Sequence, residues 1–391
     1  MAKGAYFGVG STAKKIKKMY IGIGGIARKV KRAYIGIADK ARLWFSGEPS
    51  IIRDPSVTLS EKRMWFGGGP VGNYAVFAGG QFGSTADSFN SSLTRRVLQF
   101  RKAVYLPAMS IGGTAVSKQK YILFPGGQVD RREYTDMVTG YNDSLVSVTA
   151  ASLPYKLYEM GAGNLYGNGF CAGGLTGTSA STGRTEAYMY TQSLTISNID
   201  SLDYKRWGTR CASVGVNSAS GHIIFAGGVS TDGNDYNQTR SDVYDAYGTR
   251  KSAINLRNRW TPGVASSDKY AVIGFGAGFR NGWQYPRKDV VFCDKSLTQH
   301  TVETNEPRAQ ICGGYLNGLY FFSGGSSESS SHPSSTHIFV FDENMTMLNY
   351  NNFYATKAVN DPQSAVAGDK LIFAGGNESA ENSASITVIE A

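Results

Sequence analysis

The chain has 391 residues, of which 48 are glycine, 41% are hydrophobic and 18% are charged, and its formal net charge is +10. Glycine well above its usual share of roughly 7%, with charged residues below the usual quarter, excludes a protein built from long charged helices and predicts an all-β fold. No apolar stretch reaches the length of a membrane span, and the lysine-rich start lacks a secretory signal, so we expect no membrane insertion and no export.

The positive charge is concentrated at the start of the chain. Residues 1–47 hold eleven lysines and arginines against a single acidic residue, Asp39, whereas residues 48–391 hold 29 cations and 29 anions. We therefore expect two domains with separate roles, a basic arm over residues 1–47 and a neutral body over residues 48–391.

The arm is a tandem repeat, because Tyr6, Tyr20 and Tyr34 recur at a spacing of fourteen residues. Each copy has a short aromatic strand, a two-residue turn and a cationic strand, which predicts a β-hairpin. Three such hairpins bury little surface and their charges repel, so we expect a partner, either an acidic protein surface or nucleic-acid phosphates; a flexible basic tail is the alternative. The predicted docking residues are Tyr6, Tyr20, Tyr34, Lys15, Lys17, Arg28, Lys29, Lys31 and Arg32.

Two stretches of the arm, YIGIGGIARKVKR and YIGIADKARLWFSG, join a tyrosine strand to a cationic strand. They resemble repeats found in structural and tail-associated proteins of bacteriophages, over about residues 5–47. The resemblance implies a virion component that is synthesised in the host cytoplasm and bound to other virion proteins through the arm.

The body contains a longer repeat, in which an apolar strand runs into a pair of glycines. Gly79 and Gly375 are 296 residues apart over six intervals, an average of about 49. A period of roughly 40–50 residues with strand patterning is typical of β-propeller blades. The copies end at Gly79-Gly80, Gly126-Gly127, Gly173-Gly174, Gly227-Gly228, Gly276 and Gly278, Gly324-Gly325, and Gly375-Gly376.

A turn-like triplet after the next strand, such as Ser144-Leu145-Val146, is a second marker of most copies. Two phased markers favour a seven-bladed propeller over a sandwich. The last copy has only one strand after its glycines, so we predict that residues 50–60 complete the last blade and close the ring. The aromatic strand with Gly-Gly is similar to the kelch repeat over residues 50–391, although no regular tryptophan follows the glycines.

Signatures of catalysis are scarce. The four histidines are not spaced as zinc ligands, no nucleophile elbow or phosphate-binding loop occurs, and the four cysteines lie far apart in apolar surroundings. The polar segment from Ser230 to Asp235 lacks the terminal Glu of a calcium loop. We therefore predict no enzyme activity, no cofactor and no metal, with buried free thiols.

The loops after the glycine pairs lie on one face of a propeller. They combine aromatic rings with Arg and Asp, which suit sugar or peptide recognition, although any large propeller exposes some residues of these types. The candidate ligand-binding residues are Trp283, Tyr285, Arg280, Arg131, Tyr134, Asp232 and Tyr236.

The leading hypothesis is a non-catalytic, multi-copy virion protein whose arm docks to the particle and whose propeller recognises a host-surface glycan or protein. The first alternative is a decoration, tail or baseplate subunit without a ligand, and another is nucleic-acid binding by the arm. A glycan-active enzyme would need two carboxylates that converge on the propeller's centre. The isolated candidates for that role are Asp130, Asp136, Asp232 and Asp289.

Overall fold

The structure, a computed structural model, describes residues 6–9, 12–15, 20–23, 26–29, 32–37, 40–46, 48–81, 83–112, 119–230, 239–280, 283–327, 335–350, 353–378 and 381–391. These residues form β-strands and turns with one 3₁₀ turn, Ala180–Thr182, and no α-helix among them, so the prediction of an all-β fold is confirmed. The chain divides into two compact units, Met1–Ile52 with Ile389–Ala391, and Arg53–Val388.

Three antiparallel hairpins occupy the basic arm. In the first two, the repeat tyrosine lies opposite a lysine of the cationic strand, Tyr6 opposite Lys15 and Tyr20 opposite Lys29. The paired strands are Tyr6–Val9 with Thr12–Lys15, Tyr20–Ile23 with Ile26–Lys29, and Arg32–Ile37 with Lys40–Ser46. Outside the described residues lie the predicted turns and two of the predicted docking residues, Lys17 and Lys31.

Five separate four-stranded sheets are arranged as blades of a β-propeller. The first strands of neighbouring sheets pack against one another and so surround the centre. In spatial order, the sheets are Gly67–Val71, Tyr74–Ala78, Thr85–Phe89, Arg95–Gln99; Met109–Gly112, Lys120–Pro125, Val138–Asn142, Ser147–Ala150; Gly161–Leu165, Asn168–Ala172, Ala187–Tyr190, Ile196–Ile199; Arg210–Val214, His222–Ala226, Arg240–Asp245, Ile254–Asn255; and Gln363–Ala367, Lys370–Ala374, Ile386–Glu390, Ser50–Ile52.

The remaining blade strands form one eight-stranded sheet. The prediction of a seven-bladed propeller is therefore confirmed as a β-propeller but not in its number of blades: five four-stranded blades are present beside this larger sheet. The cause is a continuous strand, Gln299–Leu316, whose first part pairs with Trp283–Cys293 and whose second part pairs with Leu319–Ser326. The sheet's other strands are Gly263–Ser266, Ala271–Gly274, Ala277–Arg280, Phe339–Asp342 and Met347–Leu348. Three small sheets pair Gln128–Asp130 with Glu133–Tyr134, Arg206–Trp207 with Val229–Ser230, and Asn377–Glu378 with Glu381–Asn382.

Both sequence markers fall at turns. Six glycine pairs have both members at left-handed φ. Five of them follow the second strand of a sheet, and Gly324-Gly325 lies inside the strand Leu319–Ser326. In the remaining copy these positions are Phe275 and Gly276 rather than Gly276 and Gly278. The triplets form the tight turn between the third and fourth strands. Leu145, for example, has φ 62°, and the Asn142 side chain accepts hydrogen bonds from the backbone N–H groups of Ser144 and Val146 at 3.0 and 2.9 Å.

The hydrophobic core lies between consecutive sheets rather than in one central mass. One cluster, for example, joins Val76 and Phe124 of the first and second sheets. A cluster of the same kind forms inside the eight-stranded sheet, where Phe292 packs with Tyr320 and Phe322. The two halves of that sheet therefore pack face to face, as neighbouring blades do.

Candidate functional site

Seven described residues surround the centre of the propeller in the left-handed backbone conformation. Each lies two to four residues before the first strand of a blade or, for Gln310, inside the continuous strand. Six are not glycine, and each of these carries a strain of roughly 1–2 kcal/mol. Such strain persists only where surrounding contacts fix it, and it is concentrated at functional sites. We name this set the central ring: Trp65 (φ 55°), Tyr105 (54°), Glu159 (55°), Gly208 (65°), Thr261 (44°), Gln310 (54°) and Asp361 (51°).

Backbone hydrogen bonds fix the central ring. The N–H groups of Tyr105, Gly208 and Asp361 donate to the carbonyl oxygens of the preceding ring members, Trp65, Glu159 and Gln310, at 2.6, 2.9 and 2.7 Å respectively. The residue before a ring member also pairs with the residue after the glycine pair of the same blade, as Val104 does with Gln128 and Asn360 with Asn377. The glycine repeat thus determines where the ring residues lie.

A cavity of about 500 Å³ lies inside the central ring, and all seven ring members line it. This volume is within the usual range for small-molecule sites, about 300–1,000 Å³. Aromatic rings make up much of the wall: Trp65 stacks on Tyr105 with centroids 4.8 Å apart, and Trp207 meets Trp260 edge to face at 6.0 Å. We call this cavity the central pocket.

Two carboxylates and one arginine also line the central pocket. The Arg210 guanidinium contacts Asp361 at 3.1 Å. Burial raises the pKa of Glu159 to about 7, with Arg210 opposing the shift and Asp361 adding to it. Burial, Glu159 and Asp361 together raise the pKa of Tyr105 to about 12. These four side chains therefore interact electrostatically across one cavity.

Two buried hydroxyls indicate that the central pocket holds a bound water or ligand. Thr209 is fully buried and Thr261 is 9% exposed, and both line the cavity. Neither hydroxyl oxygen has a hydrogen-bond partner within the described part of the chain. Because a buried polar group without a partner costs about 1–3 kcal/mol, these hydroxyls favour a bound water or ligand.

The raised pKa of Glu159 predicts a pH-dependent stability. A carboxyl whose pKa is higher when folded stabilises the fold in acid and loses that contribution as the pH rises through about 7. Relative to Glu159→Gln, the wild-type protein should lose on the order of 1–3 kcal/mol of unfolding free energy between about pH 4.5 and pH 8. Urea unfolding of both proteins across this range measures the difference, and parallel stability curves would contradict the prediction.

The predicted ligand-binding residues lie elsewhere. Tyr285, Arg131 and Tyr134 do not line the central pocket. Tyr285 is exposed, and its hydroxyl is 3.4 Å from both Asn258 and Arg287. Arg280 and Trp283 lie opposite each other at the end of a hairpin, and Asp232 and Tyr236 lie outside the described residues. A role in binding for these residues stays a prediction.

Tyr134 packs behind the wall of the central pocket, against a residue that contacts the ring member Tyr105. It is 8% exposed and stacks on Tyr158 at 4.6 Å with an interplanar angle of 6°, and Tyr158 lies 5.8 Å from the ring member Tyr105. The Arg131 side chain, in the same hairpin, is exposed. This hairpin therefore contributes packing to the pocket wall.

The other candidates for chemistry have structural surroundings. Asp289 is buried and contacts Arg259 at 2.6 Å and Arg287 at 2.8 Å. Three of the free cysteines are buried, and Cys312 is partly buried. Among the described residues, no three His, Cys, Asp or Glu side chains are grouped as metal ligands, and no helix is long and apolar enough to span a membrane.

Sequence reasoning missed the central ring, although a signal exists. Trp65, Glu159, Gln310 and Asp361 each lie fourteen residues before the first glycine of a pair: 65 to 79, 159 to 173, 310 to 324 and 361 to 375. In these four copies the position is regular while the residue type changes from copy to copy. A search for repeated residue types therefore passes over it.

Comparisons with known proteins identify no family. No protein-family model matches the sequence, and no curated protein matches it significantly. Function is therefore inferred from the central pocket and from the basic arm.

Proposed function

We propose that the protein is a non-catalytic phage virion component that docks through its basic arm and recognises a host-surface glycan through its propeller. The central pocket is the observation that carries the recognition role. It offers stacked aromatic faces, a carboxylate–guanidinium pair and two buried hydroxyls that have no partner among the described residues, in one cavity of about 500 Å³. Stacking area with fixed polar groups is what carbohydrate recognition requires.

We further infer that the eight-stranded sheet acts as two blades, which gives the propeller seven units. Its two halves pack face to face around Phe292 and Phe322, as separate blades do. The central ring also has seven members, with Thr261 and Gln310 supplied by the two halves. Ser50–Ile52 lies beside Ile386–Glu390 in the strand order of the last sheet, and we infer that it closes the ring of blades.

The docking role rests on the charge of the arm. Its strands place cations at regular positions opposite the tyrosine strands, as with Lys14 opposite Phe7 and Arg28 opposite Ile21. Clustered cations on marginal hairpins favour an acidic protein partner, such as another virion subunit. Nucleic-acid binding by the arm predicts instead a complex that nuclease or high salt dissolves.

An array of bacterial surface polysaccharides tests the proposal. We expect the labelled full-length protein to bind particular polysaccharides. A matched variant in which Lys14, Lys15, Arg28 and Lys29 are replaced by Gln should bind the same ones. Light scattering after size exclusion should show nuclease-resistant assembly of the wild type that the variant loses. An array without signal would contradict the recognition role, and nuclease-sensitive assembly would contradict docking to protein.

A specific observation favours a second candidate, a glycan-active enzyme. Glu159 and Asp361 both line the central pocket, which is the arrangement of two central carboxylates that such an enzyme needs. In this alternative, Glu159 would serve as the acid, because burial raises its pKa to about 7. Release of reducing ends from the polysaccharides that bind on the array, lost in Glu159→Gln, would support this candidate over the non-catalytic one.

A further inference from the structure

The polar and aromatic members of the central ring are not evenly distributed. In the order of the ring, the stacked pair Trp65 and Tyr105 has Asp361 on one side and Glu159 on the other. The opposite side carries Gly208, Thr261 and Gln310. Among the ring members, one aromatic pair therefore lies between two carboxylates, with the uncharged members facing it. Trp207 and Trp260, which also line the central pocket, add a second aromatic pair on the facing side.

The charge of the central pocket favours an uncharged ligand. Arg210, the arginine that the described part of the wall contains, already contacts Asp361 at 3.1 Å. An anionic ligand would have to share Arg210 with Asp361, so the cavity would hold two anionic groups beside this arginine, and a third above about pH 7, where Glu159 ionises. Uncompensated like charges at short range cost several kcal/mol in a partly desolvated site.

The arrangement of hydrogen-bonding groups favours a saccharide over a flat heterocycle. Carboxylate, amide and hydroxyl groups come from at least four positions around the ring, and the buried hydroxyls of Thr209 and Thr261 add groups that can both donate and accept. A pyranose directs hydroxyls outward around its whole edge while its C–H face stacks on an aromatic ring. A nucleobase carries polar atoms on fewer edges and would leave part of this set unpaired.

We propose that the central pocket binds one unit of an uncharged saccharide, with the sugar stacked on the Trp65–Tyr105 sector and its hydroxyls bound by Glu159, Asp361 and the threonines. This inference rests on the proposed recognition function and names the ligand class and the site within the propeller. It places the binding site at the central ring, not on the outer loops that carry Arg131 and Tyr285.

Isothermal titration of the full-length protein with simple sugars tests the inference. The uncharged probes are the methyl glycosides of glucose, galactose, mannose and N-acetylglucosamine, and the acidic probes are sialic acid and glucuronic acid. We expect at least one uncharged probe to bind at least about tenfold more tightly than either acidic probe. Tighter binding of an acidic probe, binding of a nucleoside in place of the sugars, or no binding of any probe would overturn the inference.

Variants locate the site. Trp65→Ala should weaken binding of the preferred sugar at least about tenfold, because it removes the stacking face. Glu159→Gln keeps the side-chain shape and, at about pH 8 where Glu159 is ionised, should weaken binding about three- to tenfold through the loss of a charge-assisted hydrogen bond. Tyr285→Ala is the matched control, an exposed aromatic outside the central pocket, and should bind as the wild type does. Near-ultraviolet circular dichroism confirms that each variant is folded.

The polysaccharide array separates this inference from the proposed function. If Trp65→Ala binds the array as the wild type does, the sugar does not stack on the Trp65–Tyr105 sector and the inference fails while the recognition function stands. If the free sugars bind at the central pocket but the array stays without signal, the recognition function fails while the inference stands.

Discussion

Replacing Asp87 with alanine should lower the unfolding free energy by about 3–5 kcal/mol, because it leaves a buried arginine without its counter-charge. The Arg63 and Asp87 side chains are both fully buried and 3.0 Å apart. Arg63 also donates to the carbonyl oxygens of Gly79 and Thr85 at 2.6 and 3.0 Å. The guanidinium therefore joins the segment before the first strand to the second and third strands of the blade.

An exposed ion pair one residue away in sequence provides the matched control. Lys62 and Glu381 are 2.7 Å apart, closer than the buried pair, but their side chains are 60% and 74% exposed. Because water and salt screen an exposed pair, Glu381→Ala should leave the denaturation midpoint unchanged. The double variant Arg63→Met with Asp87→Leu should recover most of the stability lost in Asp87→Ala, since no buried charge then remains unpaired.

Unfolding of the three variants in guanidinium chloride measures these effects. Equal midpoints for Asp87→Ala and Glu381→Ala would contradict the prediction. The same pairing recurs in other blades, where Arg206 contacts Asp242 at 2.7 Å and Arg259 contacts Asp289 at 2.6 Å. Because all three pairs are buried, we expect Asp242→Ala and Asp289→Ala to lower the unfolding free energy by a similar amount.

The blade repeat was predictable because its markers are local. A glycine pair fixes a left-handed turn. An Asn or Asp three residues ahead of a triplet's middle residue, or a Leu in its middle, marks the outer hairpin, as Asn142 and Leu145 do. The joining of two blades was not predictable in this way. Residues 299–316 stay extended, whereas other blades have an irregular link at this point. The Thr304 hydroxyl hydrogen-bonds to the carbonyl oxygens of Lys288 and Glu306 in this region, and these contacts arise only in the folded chain.

The central pocket was hidden for a different reason. Its residues lie far apart in sequence, as with Glu159, Arg210 and Asp361, and only the closed ring of blades brings them together. The sequence instead directed attention to the loops, where Trp283 and Tyr285 are concentrated in one short segment. Residues that cluster in one short segment of the sequence are easily found as an exposed loop. A site to which each blade contributes one residue leaves no such cluster in the sequence.

Replacing Gly227 with alanine should destabilise the protein by roughly 3 kcal/mol or more, because strain and steric overlap add at this position. Gly227 has φ 66°, and a Cβ atom there would lie 2.1 Å from the carbonyl oxygen of Arg259. That carbonyl accepts a hydrogen bond from the Gly228 N–H at 2.9 Å, and its residue carries the buried guanidinium that contacts Asp289. The backbone therefore has little freedom to move away.

Gly318→Ala separates the two contributions. Gly318 also has a left-handed φ, 86°, but the nearest atom to an added Cβ there is the Glu343 side-chain carbon at 3.9 Å. Only the backbone strain of about 1–2 kcal/mol applies at this site. Thermal unfolding of both variants should give a clearly larger loss for Gly227→Ala. Equal losses would mean that the glycine pair is needed for its left-handed φ alone and not for the close approach of the neighbouring blade.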